Sequence, residues 1–338
     1  MKSRSAISIG IGGLIVVIVA LAMLNSANSA QENKIRVAFF PNVGHAIPII
    51  GIENGIFSSG LGNETLIETR LFDSGPQVVE SLFANSIDIA YVGPGPAINA
   101  FLKSNNHNVK ILSGAASGGA SFIIHPSSKI ESVNDFSGKR IAAPLIGNTQ
   151  DVSLRHYLSE NGLKPVEKGG SVYVLNVPNP DIYTLFAKGD IDAAWVPEPW
   201  ATIFINQLGG KRLFFEEELW PNKQFATALL IGRVDYIKKH PEIIHNWINS
   251  HIKTVNWINE NPDKTKLIFI EFMKKELGKS IPYEIISDAF DNLQITSDPV
   301  GESILLFADR ADSLGYLGRD GYNIDEIFYE VELQNGQT

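Results

Sequence analysis

Residues 82–97 read LFANSIDIAYVGPGPA, and residues 185–201 read LFAKGDIDAAWVPEPWA. Apart from one extra residue in the turn, both segments have the order helix end, turn, strand and proline-led helix start. Proline suits the first turn of a helix because its φ is already helical and its missing N–H is not needed there. Two copies about 100 residues apart predict two similar α/β lobes rather than a solenoid of short repeats.

Short apolar runs alternate with amphipathic stretches around the first copy. Residues 34–40, 66–72 and 87–92 have the pattern of strands, and the apolar residues between 72 and 87 fall on one helical face. Such alternation predicts βαβ units and mainly parallel sheets. The predicted fold class is therefore α/β, with parallel-rich sheets flanked by helices.

Two breaks indicate where the chain crosses between the lobes. The turn-rich residues 126–128 (PSS) follow a strand at 121–125, and a second apolar strand at 227–231 precedes a helical tail. Apolar residues at helical spacing predict helices in this tail at 241–260, 281–293 and 300–314. Two crossings predict that one lobe is inserted into the other. The predicted division is lobe 1, residues 31–125 and 229–338, and lobe 2, residues 126–228.

The first 30 residues have the pattern of a targeting segment. Lys2 and Arg4 precede an apolar run from Ala6 to Leu24, and a small-residue stretch follows up to Ala30. This pattern predicts a signal peptide, residues 1–30, or a membrane anchor if it is not cleaved. Either way the basic start predicts that the remainder is extracytoplasmic, in the periplasm or at the outer face of the cell membrane.

Composition excludes several function classes. The chain has 28 Lys+Arg against 37 Asp+Glu, a formal net charge of −9, which argues against a nucleic-acid partner. It has no cysteine, so disulfides, thiolate metal sites, cysteine nucleophiles and a lipid-modified cysteine are absent. The seven histidines show no HExxH spacing, and no GxGxxG or Walker motif occurs. We therefore expect neither a metal nor a cofactor.

Three predicted strand-to-helix junctions share small, polar sequences. They are residues 41–46 (PNVGHA), 93–97 (GPGPA) and 146–151 (IGNTQD). In parallel sheets such junctions lie beyond the carboxyl ends of the strands, where ligands bind. Free backbone N–H groups and the positive helix end make each junction a candidate anion site. For any single junction the alternative is a helix cap or a simple turn.

Two further stretches contribute candidates. Residues 116–121 (ASGGAS) form a possible hinge or ligand loop. In WVPEPW, Trp195 and Trp200 flank Glu198, either as an aromatic wall with a carboxylate for an alkyl-ammonium group or as core tryptophans beside a solvated glutamate. The predicted ligand-binding residues are Asn42, Gly44, His45, Gly93, Gly95, Ser117, Ser121, Asn148, Thr149, Gln150, Trp195 and Glu198.

The combination of YVGPGPAINAFLK, SGGAS, GNTQD and WVPEPW resembles the periplasmic-type solute-binding proteins of ABC importers, in the nitrate/taurine/aliphatic-sulfonate group. The resemblance extends over residues 34–298. It implies a type II periplasmic-binding-protein-like fold, in which two lobes joined by two crossovers close on a small anion held by neutral donors and helix starts. It also implies an ABC transporter permease as the protein partner.

Two function classes follow. The first is an extracytoplasmic receptor that captures a small sulfonate-like anion or zwitterion of the taurine, aliphatic sulfonate or nitrate class. The alternative is a non-transport enzyme on the same fold that acts on a small heterocycle or anion. Enzymes of this fold that use cysteine chemistry are excluded because the chain has none. We also find no nucleophile–base pair that sequence spacing would bring together, so we predict a receptor, not an enzyme.

Overall fold

The computed structural model describes residues 33–104, 108–278, 280–318 and 321–330. The predicted targeting segment lies outside these residues. In chain order the strands are β1 Lys34–Phe39, β2 Leu66–Leu71, β3 Ile89–Val92, β4 Val109–Gly118, β5 Ala120–Ile124, β6 Arg140–Ala143, β7 Tyr173–Asn176, β8 Ala193–Pro197, β9 Lys211–Phe215, β10 Ala226–Arg233 and β11 Leu293–Ile295. The α-helices are α1 Ala46–Glu53, α2 Ile56–Leu61, α3 Gly75–Phe83, α4 Pro94–Lys103, α5 Thr149–Glu160, α6 Asn179–Lys188, α7 Trp200–Leu208, α8 Val234–Lys239, α9 Pro241–Glu260, α10 Pro262–Leu277, α11 Tyr283–Asp291 and α12 Gly301–Ser313. Of the helices in the described ranges, none is both long enough and apolar enough to cross a bilayer.

Two sheets with one strand order form the two lobes. The first has the order β11-β4-β10-β3-β1-β2, and the second has the order β7-β6-β8-β5-β9. When the strands are counted from β2 in the first sheet and from β7 in the second, the first five strands of the two sheets occupy equivalent positions. The predicted two-lobed α/β fold is confirmed, and its internal symmetry matches the repeat in the sequence.

Both sheets are mixed rather than mainly parallel. β1 pairs in parallel with β2 and β3, and β6 with β7 and β8. By contrast β10 is antiparallel to β3 and β4, and β5 is antiparallel to β8 and β9. β5 and β10 are each the first strand after a crossing, so each enters its sheet from the other lobe, and the short β11 is also antiparallel to its neighbour β4. The local periodicity that predicts a strand carries no information about this direction.

The crossings differ from the positions expected from turn signals. β5 pairs in the second sheet, so the first crossing is at Gly118–Gly119 rather than after residue 125. Both glycines have positive φ, +74° and +77°, which a side chain would strain. The second crossing is the segment between β9 and β10, because β10 already pairs in the first sheet from Ala226. The PSS turn at 126–128 lies after the crossing strand and therefore does not mark the boundary.

The helices of the tail cover both faces of the first sheet: α9 and α10 pack on one face and α12 packs on the other. Helix α9 has the bounds expected from the sequence, and its Trp247 stacks on Phe57 with ring centroids 4.0 Å apart. Both rings are fully buried, which contributes about 1.5–3 kcal/mol for each aromatic side chain. The tail therefore belongs to lobe 1, and it also extends to lobe 2, where α11 packs against α7.

Candidate ligand-binding site

A cleft lies where the strand-to-helix junctions of both lobes meet. The junctions after β1, β2 and β3 line it from lobe 1, and those after β6, β7 and β8 line it from lobe 2. Gly118 and Gly119 at the first crossing and Thr227 and Ala228 of β10 complete the lining, and the cavity of about 50 Å³ suits a small solute. The lining residues are Phe40, Asn42, Gly44, His45, Asp73, Gly93, Pro96, Gly118, Gly119, Pro144, Asn148, Thr149, Gln150, Asn179, Pro197, Glu198, Thr227 and Ala228.

Most of the predicted site residues meet at this cleft. Those that line it are Asn42, Gly44, His45, Gly93, Asn148, Thr149, Gln150 and Glu198. The structure places the others, Gly95, Ser117, Ser121 and Trp195, outside the lining. Their ligand contacts are therefore not supported by the geometry.

Protein contacts account for the residues outside the lining. The hydroxyl of Ser117 accepts the Phe225 N–H at 3.4 Å, and the hydroxyl of Ser121 accepts Arg212 Nε–H at 3.0 Å. Trp195 is fully buried in the lobe 2 core, where its Nε1–H donates to a carboxylate oxygen of Glu216 at 2.7 Å. Trp200 also packs on the core rather than on the cleft. The aromatic wall proposed from WVPEPW is therefore absent from the described lining.

His45 reaches the cleft as a neutral donor. Burial lowers its pKa to about 3, so the ring is uncharged at physiological pH. Its Nδ1 accepts the Phe40 N–H at 3.1 Å, which requires the ring proton to be on Nε2. Stacking on the Phe40 ring, with centroids 4.6 Å apart, holds this orientation. The Nε2–H is the group that His45 can offer to an anion.

The start of α4 differs from the expected anion site. Pro94 and Pro96 have no N–H, the Ala97 N–H donates to the Gly93 carbonyl, and the Gly95 N–H donates to Thr149 Oγ1 at 3.4 Å. The first turn therefore has no spare backbone donor. The prolines that mark the helix start in the sequence also remove the donors that an anion would need.

The start of α5 combines lobe contact with ligand donors. Asn148 makes no capping bond to its own helix; its Oδ1 accepts the Gly75 N–H of lobe 1 at 3.0 Å. Thr149 Oγ1 accepts the Gly95 N–H, which leaves its own hydroxyl proton free to point elsewhere. Gln150 is buried and lines the cleft beside it. The start of α5 is therefore a better anion site than the start of α4.

Acceptors are as prominent in the cleft as donors. Asn42 and Asn179 each have a buried Oδ1 without a hydrogen-bond partner in the protein. Asp73 adds an exposed carboxylate, and none of the described lining residues is Lys or Arg. Sequence reasoning missed Asp73 and Asn179, although each lies two or three residues after the end of an observed strand, β2 and β7 respectively. Only their position after a strand could have identified these two residues from the sequence, because neither lies in a glycine-rich motif.

Glu198 lines the cleft but is engaged by the protein. Its Oε1 accepts from Asn292 Nδ2 at 2.8 Å and from Arg212 Nη2 at 3.3 Å, and its Oε2 accepts the Thr202 N–H at 3.0 Å. Burial nevertheless raises its pKa to about 7. With these partners the carboxylate does not need a ligand cation to offset its charge. In the described residues there is also no group of three or more His, Asp or Glu side chains that could hold a metal ion.

A model of the NMT1-like family matches residues 28–270. The chain belongs to the NMT1-like family. Among relatives of this NMT1-like chain, a putative binding protein of Brucella abortus (strain 2308) is 28% identical over 258 residues, which cover 75% of this chain and 76% of that protein. The taurine-binding periplasmic protein of Escherichia coli (strain K12) is 31% identical over 199 residues, 58% of this chain and 59% of that protein. These names agree with the predicted receptor rather than an enzyme.

Solved structures show the same fold. The alkanesulfonate-binding protein from Xanthomonas axonopodis pv. citri has a TM-score of 0.70 at 17% identity, over 85% of this chain and 95% of that one. The periplasmic nitrate-binding protein from Synechocystis PCC 6803 also has a TM-score of 0.70 at 17% identity, over 85% and 83%. The resemblance inferred from the sequence motifs is confirmed, and the fold is that of periplasmic binding proteins.

Proposed function

We propose that this protein is the extracytoplasmic solute-binding receptor of an ABC importer and that its ligand is a small zwitterion with a sulfonate-like anionic end. The observation that carries the proposal is a cleft between two like lobes whose described lining residues combine neutral donors with carboxylates and include no Lys or Arg. The family relatives named for taurine and aliphatic sulfonates support this ligand class.

The anionic end fits the donors of both lobes. His45 offers Nε2–H from lobe 1, and Thr149 and Gln150 offer side-chain donors at the start of α5. The α5 N-terminus adds the positive end of its dipole, since Asn148 does not cap it. Neutral donors of this kind bind a sulfonate without the desolvation cost of a buried lysine or arginine.

The opposite end of the ligand fits acceptors. Asp73, Asn42 and Asn179 present oxygen atoms to the cleft, two of them buried and unbonded. A primary ammonium group has three N–H donors and a positive charge, so it matches this set. A plain inorganic anion would leave the same acceptors unsatisfied and would face an uncompensated carboxylate.

We assign export to residues 1–30, as a cleaved signal peptide or as a membrane anchor, and capture to lobe closure followed by delivery to the permease. Periplasmic relatives support the location. Fractionation of cells that express the full chain tests it: protein found only in the cytosol would overturn the assignment.

Calorimetry with taurine, ethanesulfonate and nitrate tests the ligand class. Taurine and ethanesulfonate share the sulfonate and differ by the amine, so we expect taurine to bind about ten-fold more tightly, the value of one charge-assisted hydrogen bond. Asp73→Asn should weaken taurine alone. Glu198→Gln should weaken both sulfonates equally, because its partners are protein groups. Equal affinity for taurine and ethanesulfonate, or tighter binding of nitrate, would exclude the zwitterion.

A further inference from the structure

Two side chains of the lobe 1 tail donate to carboxylates of lobe 2. Tyr316, just after α12, donates its hydroxyl proton to Asp151 Oδ2 at 2.7 Å. Asn292, between α11 and β11, donates Nδ2–H to Glu198 Oε1 at 2.8 Å. The tail follows the second crossing, so neither bond is local in sequence; they span 165 and 94 residues.

Asp151 organises one of the cleft-lining junctions. It is fully buried in the first turn of α5, and its Oδ2 also accepts the Gly147 N–H at 3.0 Å. Its Oδ1 accepts from Arg155 Nε at 2.7 Å and from Asn176 Nδ2 at 2.8 Å. The carboxylate therefore holds the loop before Thr149 in place while it faces the tail.

Glu198 has the equivalent place before α7. Its Oε2 accepts the Thr202 N–H of that helix at 3.0 Å, and its Oε1 faces Asn292. Each tail donor thus meets a carboxylate that already shapes the lobe 2 wall of the cleft. The two contacts use different helices and share no partner.

We propose that Tyr316 and Asn292 are positioning residues that form a two-point clamp, by which the C-terminal tail holds lobe 2 closed over the ligand. The clamp rests on the proposed function in so far as ligand capture requires closure. Both hydrogen bonds join groups of different lobes, so separation of the lobes at these points would break them. Interactions present in one conformation shift the population toward it and raise the apparent affinity for a ligand of that conformation.

Single and double variants test the clamp. Tyr316→Phe and Asn292→Ala each remove one donor without adding charge, and we expect each to raise the taurine dissociation constant about five-fold, as for loss of one partly exposed hydrogen bond. The double variant should lose about 25-fold, because contacts without a shared partner act additively. Small-angle scattering of the ligand-free variants should show a larger radius of gyration than that of the wild type.

Matched controls remove the same chemistry within one lobe. The Tyr322 hydroxyl donates to Asp309 Oδ1, both in the tail of lobe 1, and Asn161 Nδ2 donates to the Tyr157 carbonyl within lobe 2 at 2.8 Å. Tyr322→Phe and Asn161→Ala should leave affinity and scattering unchanged. Clamp variants that match the wild type in both measurements would overturn the proposal, as would equal losses in the control variants.

Hydrogen exchange in the ligand-free protein tests the clamp independently of which ligand the protein binds. The Gly75 and Gly95 N–H groups are protected by bonds to Asn148 and Thr149 of the other lobe. In ligand-free protein, the clamp variants should exchange both amides faster than the wild type, with Tyr322→Phe unchanged. If taurine does not bind the wild type, the proposed ligand fails, and this exchange result still decides the clamp: equal rates overturn it and faster rates support it.

Discussion

Arg36 binds Asp88 through two parallel hydrogen bonds, Nε to Oδ2 at 2.9 Å and Nη2 to Oδ1 at 2.6 Å. The Arg36 backbone makes two further bonds to Asp88: its N–H donates to the Asp88 side-chain Oδ2, and its carbonyl accepts the Asp88 N–H. In lobe 2, Arg140 and Asp192 repeat both backbone bonds at 2.8 Å. The Ile-Asp pairs of the repeated sequence therefore have the same structural role in both lobes. Each aspartate bonds the start of its own strand to the neighbouring parallel strand.

The two copies differ in burial, which predicts unequal effects of the same substitution. Asp88 is 1% exposed and also accepts from Arg233 Nη2 at 3.2 Å, whereas Asp192 is 23% exposed. Asp88→Ala leaves two arginines without their buried partner and should cost about 3–5 kcal/mol of unfolding free energy. Asp192→Ala should cost about 1 kcal/mol or less, since solvent screens its pair.

Urea unfolding of both variants measures the difference. Alanine at the exposed Asp190, beside the second copy, is the control and should stay near the wild-type stability. Equal losses for Asp88→Ala and Asp192→Ala would show that burial does not govern these pairs.

The sequence contains enough information for the fold because its signals are local and repeated. Period-two and helical spacing predict β1, β2, α9 and α12 within two residues of their observed bounds. The reversal of β5 and β10 is not encoded locally. It depends on which sheet each strand joins after a crossing, and only Gly118 and Gly119, with their positive φ, mark the first crossing.

The candidate site could be predicted in part for a related reason. Position after a strand places Asn42, His45 and Thr149 at the cleft, since all parallel strands end at the same edge of a sheet. Residue type alone gives the wrong prediction for Trp195, because its indole N–H donates to Glu216, which is distant in the sequence, and not to a ligand. Contacts across 20 or more residues decide which polar group remains available to a ligand, and spacing does not reveal them.

Gly93 is predicted to permit closure. A Cβ atom there would lie 2.3 Å from Thr149 Oγ1 of the other lobe. The backbone of Gly93 is extended, φ −74° and ψ 169°, so alanine causes no local strain. Gly93→Ala should therefore leave folding intact and hold the lobes apart, with taurine affinity reduced about ten-fold or more as the closed population falls.

Scattering and calorimetry check this expectation together. Gly301→Ala is the control, because its Cβ would meet no atom closer than 3.5 Å. A Gly93→Ala protein with wild-type affinity and an unchanged radius of gyration would exclude a role for this close approach.

His45 is predicted to act as a neutral donor at every pH used for binding. Since burial lowers its pKa to about 3, it stays uncharged from pH 5 to pH 8. His45→Ala removes the Nε2–H donor and should weaken a sulfonate about ten-fold or more, as for a lost hydrogen bond to a charged group. The ratio of wild-type to variant affinity should not change over this pH range.

Calorimetry at three pH values measures that ratio. If wild-type affinity rises on acidification and the rise disappears in His45→Ala, His45 binds the anion as a cation, contrary to its buried environment.

Glu216, which lies in the second crossing, is predicted to make the free energy of unfolding depend on pH. It is fully buried, accepts from the Ser153 hydroxyl and from Trp195 Nε1–H, and burial raises its pKa from about 4.5 to about 7. Between these values the folded state retains a proton that the unfolded chain releases, so the contribution of Glu216 is fully present below pH 4.5 and is lost as pH rises through 7. A shift of this size corresponds to on the order of 3 kcal/mol.

Glu216→Gln does not titrate, so the stability advantage of the wild type over this variant should shrink by that amount between pH 4.5 and pH 8. The exposed neighbour Glu218→Gln is the control and should differ from the wild type by a constant amount. Urea unfolding across this range decides the matter, because a wild-type advantage over Glu216→Gln that is the same at both ends would mean that burial does not raise the pKa of Glu216.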